Sequence, residues 1–429
     1  MVSATTLLSS LPDDVRLQRL EALVVASETL NRASGLDDIL QAILGLIKTQ
    51  LACERATAFL HDARSGQLHA RQMSGSKHVE IVLEKGVGVA GYVAEKGESV
   101  LINDVAADPR FDPSTDKRTG FVTRNMLCVP FRNPEGKVMG ALQAINRRGG
   151  EFSTTDLAYL ESFAALAAVA VEREQLAQEA FRAQLLATEL ELARGIQQRL
   201  LPASGRIDLP APFSAWGTSQ PCFDVGGDTY DVVMLAPDEC AFWVADVSGK
   251  GIGAALLMTT LQTELRALVR MEKDLARMVT EIDARVSAAA PLGTYATLFV
   301  GVLSAESETL RYVNAGHVPP VWLGARMKDT CEFEVSGMPV GLRLPNNIYS
   351  AGECPFRGGD RLAVFSDGVT DAENTSGQTF EEHGLAECHA RITTSDVQEI
   401  GEVFFSDLDR FRIGAQAKDD TTYLVISRS

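Results

Sequence analysis

GGDTYDVVMLAPDECAFWVADVSGKGIGAAL, residues 226–256, is the stretch on which the reading of this chain turns. Its apolar run AFWVA, residues 241–245, predicts a buried strand. Asp246 then stands where that strand leaves the sheet. Gly249, Gly251 and Gly253 follow, and their freedom lets a tight loop turn into a helix predicted to begin near Ile252. Asp228, directly behind the pair Gly226-Gly227, is a second acid on a glycine turn. Two such carboxylates offer the oxygen ligands that a divalent cation takes. Aspartates beside glycine also serve as turn and cap residues, so the rest of the chain decides between the two uses.

The 429 residues suffice for two or three domains. A content of 45% hydrophobic and 23% charged residues is that of an ordinary globular protein. The formal net charge of −17 argues against a nucleic-acid partner or an anionic membrane. The seven cysteines are scattered, odd in number and without a CxxC pair, which predicts free thiols in a reducing compartment. The N-terminal MVSATTLLSSLPDDV lacks a basic segment followed by an apolar core, so no signal peptide is expected. No uninterrupted apolar run approaches the roughly 18 residues of a membrane span. The expected location is the cytoplasm.

Residues 13–51 read as helical, with a break at Ser34-Gly35. Strand signals follow in RATAFLHD, QLHARQM, VEIVLEK and SVLINDV, with a short helix in GVGVAGYVAEKGE. NMLCVPF and VMGALQAIN are strands joined by the hairpin turn RNPEGK. From Ser153 the chain turns helical, with Ser153 or Thr154 as cap and Asp156 in the first turn. No proline occurs between Pro134 and Pro202. Leu176, Ala180, Ala183, Ala187 and Leu190 alternate at spacings of four and three, the seam of a parallel two-stranded coiled coil. Leu201-Pro202 ends the helix. Beyond it, eight strand candidates from PFSAWGTS to TTYLVIS surround helices within 252–289 and near 380–390 and 396–412. Many strands with grouped helices predict an α+β sandwich.

Four acids in this last region stand at strand ends or beside small turn residues: Asp228, Asp246, Asp367 in LAVFSDGVTDAEN and Asp419 in AKDDTTYLVIS. Gathered at one sheet edge, they would hold two hard divalent ions roughly 3.5–4 Å apart, with one carboxylate bridging. A competing histidine site is not evident, since His317 and His383 are far apart and neither lies in HExxH. There is no GxSxG elbow and no GxxxxGK[ST] loop.

GGDTYD, DVSGKGIGAALLM, TLFVGVL with LRYVNAGHVPP, SGMPVGL, GDRLAVFSDGVTDAEN and DDTTYLVI resemble, in this order, one known family. It is the metal-dependent protein serine/threonine phosphatases (PPM, type 2C) of the SpoIIE/RsbU-like bacterial branch. The likeness covers about 195–429, and ELARGIQQRLLP just ahead is also typical. The resemblance implies a β-sandwich flanked by helices and two Mn²⁺ or Mg²⁺ ions. On this sequence it implies that Asp228 and the main-chain carbonyl of Val247 bind one ion and that Asp246 bridges both. Asp367 and Asp419 would bind the other, with Asp420 as the alternative to Asp419. Asp231 and Asp371 are expected behind the ligands or in turns, and Asn314, Gly316 and His317 as scaffold. Lys250 is expected to be a loop residue. Ser248 stands where the eukaryotic type 2C pattern has a histidine, and no counterpart of that pattern's N-terminal arginine is found. The implied substrate is a phosphoserine or phosphothreonine protein, a small anti-sigma-factor antagonist.

Residues from about 20 to 175 resemble a GAF domain, on GVGVAGYVAEKGESVLINDVAADPRFD, DKRTGFVTRNMLCVPF and GALQAINRRGGEFSTTDLAYL. The nearest likeness is to the GAF domains of cyclic-nucleotide phosphodiesterases and cyclases, which carry the signature Asn-Lys, Phe, Asp-Glu. Here it reads Asn146-Arg147, Phe152 and Asp156-Leu157, which leaves a cyclic nucleotide, another small ligand or protein-only signalling open. The expected layout is an N-terminal segment 1–19, a GAF sensory domain 20–172, a helical linker 173–202 and a phosphatase domain 203–429. The whole is expected to act as a cytoplasmic homodimer with no nucleic-acid or membrane partner.

Overall fold

The computed structural model describes residues 12–62, 65–73, 81–84, 86–323, 332–344 and 347–429. The chain packs as two units, one ending at Leu185 and the other starting at Leu186.

The first unit opens with helices α1 (Asp13–Arg32) and α2 (Leu36–Gln50). The break between them is where the sequence put it, because Gly35 takes φ 92° at the start of α2. Strands β1 (Cys53–His61), β2 (Leu68–Met73), β3 (Val82–Leu83), β4 (Val100–Ile102), β5 (Met126–Arg132) and β6 (Val138–Arg147) form one antiparallel sheet in the order β3-β2-β1-β6-β5-β4. Part of the predicted VEIVLEK strand lies outside the described residues. Helices α3 (Gly88–Lys96) and α4 (Ser114–Thr119) fall between the strands, and α5 (Thr154–Gln198) follows them. One sheet face packs Leu127, Val129 and Leu142 against Ile39, Ile43 and Ile47 of α2 and Tyr159, Phe163 and Val171 of α5. The other carries Phe59, Met126 and Ile145 beneath α3.

Ser153 and Asp156 cap α5 reciprocally: Asp156 N donates to Ser153 Oγ at 3.2 Å and Ser153 N to Asp156 Oδ2 at 3.0 Å. The helix is 45 residues long, and residues 175–189 are exposed on every side. Among its large exposed apolar side chains, Phe181, Leu185 and Leu192 share a stripe, while Leu176 and Leu186 lie on other faces. By length and composition alone α5 is long and apolar enough to cross a membrane, although no uninterrupted apolar run in it reaches that length. The physical reason is its alanine-rich first half, and 56% of the apolar window is buried.

The second unit is built on two five-stranded antiparallel sheets. One joins β9 (Asp228–Ala236), β10 (Glu239–Val247), β11 (Ala296–Ser304), β12 (Thr309–Ala315) and β14 (Gly352–Pro355), in the order β14-β12-β11-β10-β9. The other joins β7 (Gly205–Ile207), β8 (Phe213–Gln220), β13 (Val321–Trp322), β15 (Arg361–Phe365) and β16 (Thr421–Arg428), in the order β13-β15-β16-β8-β7. Both faces of β10 are buried, which is why its sequence is apolar throughout. Cys240, Phe242 and Val244 face the inner core with Phe299, Val364, Leu424 and Ile426. Ala241, Trp243 and Ala245 face α6 (Ile252–Leu268) and α7 (Leu275–Ala289). A short helix α8 (Asp367–Thr370) follows β15. Helices α9 (Ala386–Arg391) and α10 (Val397–Phe411) cover the second sheet through Cys388, Ile400, Phe404 and Tyr423. The result is the helix-flanked sandwich expected from the strand pattern.

Candidate active site

Strand register puts the first two acids face to face. Asp228, the first residue of β9, pairs across the ladder with Asp246 near the end of β10. The second sheet delivers the others: Asp367 opens α8 directly after β15, and Asp419 precedes β16. β15 and β16 pair antiparallel, with Phe365 opposite Tyr423, so both acids emerge at one end of that sheet. Like charges gathered this way raise one another's pKa. Burial first, then Asp246, holds the Asp228 carboxyl well above the usual carboxylate range. Asp246 is raised by burial and then by Asp367, and Asp367 by burial and then by Asp419.

Asp228 Oδ2 is buried without a hydrogen-bond partner among the described residues. A buried carboxylate oxygen left unpaired is costly unless a cation meets it. Among the described residues no three His, Cys, Asp or Glu side chains are already drawn to ligand spacing. Asp419 reaches Lys250 Nζ at 2.9 Å. The donor set is all oxygen, which fits a hard divalent ion rather than zinc.

The two candidates in DDTT separate cleanly. Asp420 accepts from Cys222 N at 2.7 Å on one oxygen and from Gly227 N at 2.6 Å on the other. It ties the turn ahead of Asp228 to the start of β16, and a Cβ at Gly226 would lie 2.6 Å from its Oδ2. Asp419 keeps its carboxylate half-exposed. Val247 follows Asp246 at the end of β10, and a Cβ at Gly227 would lie 2.8 Å from its carbonyl oxygen.

The remaining sequence candidates are hydrogen-bonded within the domain. Asp231 accepts from Gln262 Nε2 at 2.9 Å and pairs with Arg266. Asp371 closes α8, its N–H donating to Asp367 O at 2.7 Å. Asn314 Oδ1 accepts from His317 N at 2.8 Å, and His317 Nδ1 meets Thr297 Oγ1 at 2.8 Å. Ser248 Oγ accepts from Tyr295 N at 2.9 Å. Two glutamines that sequence reasoning passed over hold this frame. Gln262 Oε1 accepts from both Thr229 Oγ1 and Trp243 Nε1. Gln197, in the last turn of α5, bonds twice to Gly226. The one signal for Gln197 was its place in ELARGIQQRLLP.

In the first unit, strands and the 111–123 segment line a partly open cavity of about 80 Å³. Arg55, Thr57, Phe121, Thr123, Met126 and Gln143 are among its lining residues. The Arg55 guanidinium lies over the Phe121 ring, 3.9 Å from its centroid. The expected ligand residues Asn146, Arg147, Phe152 and Asp156 are not among its lining residues. They are spent on one another and on the scaffold. Asn146 is fully buried, accepts from Arg124 N at 2.7 Å and donates to Val122 O at 2.8 Å. Arg147 pairs with Asp156, which also accepts from Arg19 Nη2 at 2.7 Å. Phe152 is buried in the core, its N–H donating to Asn103 Oδ1 at 3.0 Å. The signature stretch therefore pins the start of α5 to the sheet and to α1.

Fold and site together define a PP2C-like phosphatase domain behind a GAF fold, with a long helix linking them. Comparison with known families gives the same two parts. Residues 236–429 match the family model of stage II sporulation protein E (SpoIIE), and residues 35–171 match that of the GAF domain. The chain thus carries a GAF domain followed by a SpoIIE-type PPM phosphatase domain. It is similar to protein IcfG of Synechocystis sp., 28% identical over 56% of this chain and 42% of that one. It is also similar to phosphoserine phosphatase RsbU of Bacillus subtilis, 25% identical over 57% of this chain and 71% of that one. The GAF part resembles the probable 3',5'-cyclic phosphodiesterase pde-5 of Caenorhabditis elegans, 28% identical over 36% of this chain and 23% of that one. The chain spans less than half the length of the first and third of these relatives.

Proposed function

We propose that this chain is a metal-dependent protein phosphatase that hydrolyses phosphoserine or phosphothreonine on a partner protein, under control of its GAF domain. The observation that carries the reading is the convergence of Asp228, Asp246, Asp367 and Asp419 from two sheets, with Asp228 Oδ2 buried and unpaired. Asp228 and the Val247 carbonyl would hold one Mn²⁺ or Mg²⁺, Asp246 both, and Asp367 and Asp419 the second. Bound there, such ions act as Lewis acids toward phosphoryl oxygens and lower the pKa of water. The chain's own contribution is to fix the ligands. Asp420 and Gln197 lock the Gly226-Gly227 turn that aims Asp228, and the β9–β10 ladder sets Asp246 opposite it. Ser248 Oγ accepts from Tyr295 N, and we assign the proton for the leaving serine oxygen to a water.

RsbU is a phosphoserine phosphatase by name, which supports a phosphoprotein substrate here. We take that substrate to be an anti-sigma-factor antagonist. We assign the GAF cavity to a small effector, a cyclic nucleotide or another compound of that size, and the protein to the cytoplasm as a homodimer. The test is hydrolysis of p-nitrophenyl phosphate and of a phosphoserine protein with and without Mn²⁺. Mn²⁺-dependent turnover is expected, and a chain inert at saturating Mn²⁺ would overturn the reading. A melting series with cyclic AMP and cyclic GMP tests the effector, since a ligand bound only by the folded state raises Tm. No shift at millimolar ligand removes the cyclic nucleotides.

A further inference from the structure

Four carboxylates offset the charge of two divalent ions, so a phosphomonoester dianion entering the site still needs a side-chain cation. Among the described residues, the ammonium that reaches one of the four acids is that of Lys250, 2.9 Å from Asp419 Oδ2. Nearby cations are committed elsewhere. Lys418 pairs with Glu373 at 2.6 Å, and Arg412 bonds Asp409 at 3.1 Å and Thr421 Oγ1 at 3.2 Å. Lys250 sits four residues after Asp246, between Gly249 at φ 94° and Gly251 at φ 79°. A Cβ at either glycine would meet nothing within 4 Å, so the loop is not wedged by packing. The Lys250 side chain is 45% exposed, and the half-exposed Phe223 ring stands 5.8 Å from its Nζ at the rim.

We infer that Lys250 is the phosphate-holding residue of this site, its ammonium donating to the phosphoryl oxygens of the phosphoserine or phosphothreonine substrate. The inference rests on the phosphatase reading above. The Lys250 ammonium donates to Asp419 and to the Lys418 carbonyl; Asp419 is the partner it exchanges, and once Asp419 serves a metal that donor turns to the phosphate. A compact charge with three donors on a flexible stem suits that move. It also supplies the cation that the missing N-terminal arginine leaves unassigned.

The experiment is calorimetric binding of inorganic phosphate to the full Mn²⁺-loaded chain, comparing wild type, Lys250→Gln and Lys250→Arg. KM and kcat for p-nitrophenyl phosphate, Mn²⁺ titration of each metal-free protein and a melting curve accompany it. Loss of one charge-assisted contact predicts about tenfold weaker phosphate binding for Lys250→Gln. KM should rise more than kcat falls, and Lys250→Arg should stay within about threefold of wild type. Unchanged phosphate affinity in Lys250→Gln, with or without altered Mn²⁺ binding, would assign Lys250 to holding Asp419 alone and overturn the proposal. In that case wild type still hydrolyses the ester with Mn²⁺. A wild type that does not would sink the phosphatase reading and this inference with it.

Discussion

Gln197 brackets Gly226: its Oε1 accepts from Gly226 N at 3.1 Å and its Nε2 donates to Gly226 O at 2.6 Å. The last turn of α5 is thereby fastened to the glycine turn that presents Asp228. Both glutamine bonds are buried, so truncation leaves a main-chain donor and acceptor unpaired. Gln197→Ala should lower stability by about 1–3 kcal/mol and weaken Mn²⁺ binding. The exposed neighbour Gln198→Ala should change neither. Equal Mn²⁺ affinities for the two variants would remove Gln197 from the support of the site.

Asp419 and Asp420 should fail differently. Asp420→Ala strips two main-chain N–H groups of their acceptor, and charge-assisted bonds of this kind contribute about 1.5–3 kcal/mol each. A fall in Tm is expected in the metal-free protein. Asp419→Ala removes a half-exposed carboxylate, so Tm without metal should hold while Mn²⁺ affinity drops. Melting curves and Mn²⁺ titration of both variants decide it. The opposite pattern would make Asp420 the ligand.

The fold was legible wherever a local pattern carried it. The apolar run in AFWVAD, punctuation at Gly35 and Gly249, and the reciprocal cap at Ser153 all act within a few residues. The four acids were legible because each follows or precedes an apolar strand. The GAF cavity was not, because its lining runs from Arg55 to Ile145 and is assembled by sheet pairing. Nor was the scaffold role of Asn146, Arg147 and Asp156. Whether a polar side chain faces a cavity or a neighbouring helix is settled by tertiary packing, and Arg19, which meets Asp156, is 137 residues away. A lone glutamine in a helix, such as Gln197 or Gln262, has no signature.

Acid should destabilise the second unit through its buried histidines. Burial lowers both His317 and His389 to about 4. Their unfolded forms titrate near 6.5, so unfolding takes up protons between those values. The stability they contribute is whole above about pH 6.5 and is lost as pH falls toward 4. The buried Asp228–Asp246 pair has the opposite sign, because its raised carboxyls favour the protonated folded form. Metal-free protein should therefore lose stability from this pair as pH rises above the ordinary carboxylate range. Mn²⁺ should raise Tm more at pH 7.5 than at pH 5.5. Urea titrations across pH 4.5–8, with His389→Leu flattening the acid limb, check the first claim. An acid limb of unchanged slope in that variant would refute it.

The exposed helix predicts a partner. Phe181, Leu185 and Leu192 stand in solvent on one stripe of α5. Phe181→Asp should shift the protein from dimer to monomer in sedimentation runs. If α5 also relays the GAF state as a rigid rod, inserting residues near Ala183 turns the downstream helix by about 100° each. Activity should then vary with insertion length on the helical period. A flat series would mark the helix as a passive tether.

The bridging position is the centre of the account. Asp246 faces Asp228 across the ladder, and the charge of Asp367 from the other sheet raises its pKa, so it is the acid we place between the two halves of the site. Losing a bridge weakens both ions, and an amide is an uncharged, poorer ligand. The most direct measurement is Mn²⁺ stoichiometry with phosphatase turnover for wild type, Asp228→Asn and Asp246→Asn. The account predicts two ions per wild-type chain, and a larger loss of both metal and turnover in Asp246→Asn than in Asp228→Asn. Two bound ions and wild-type turnover in Asp246→Asn at saturating Mn²⁺ would contradict it.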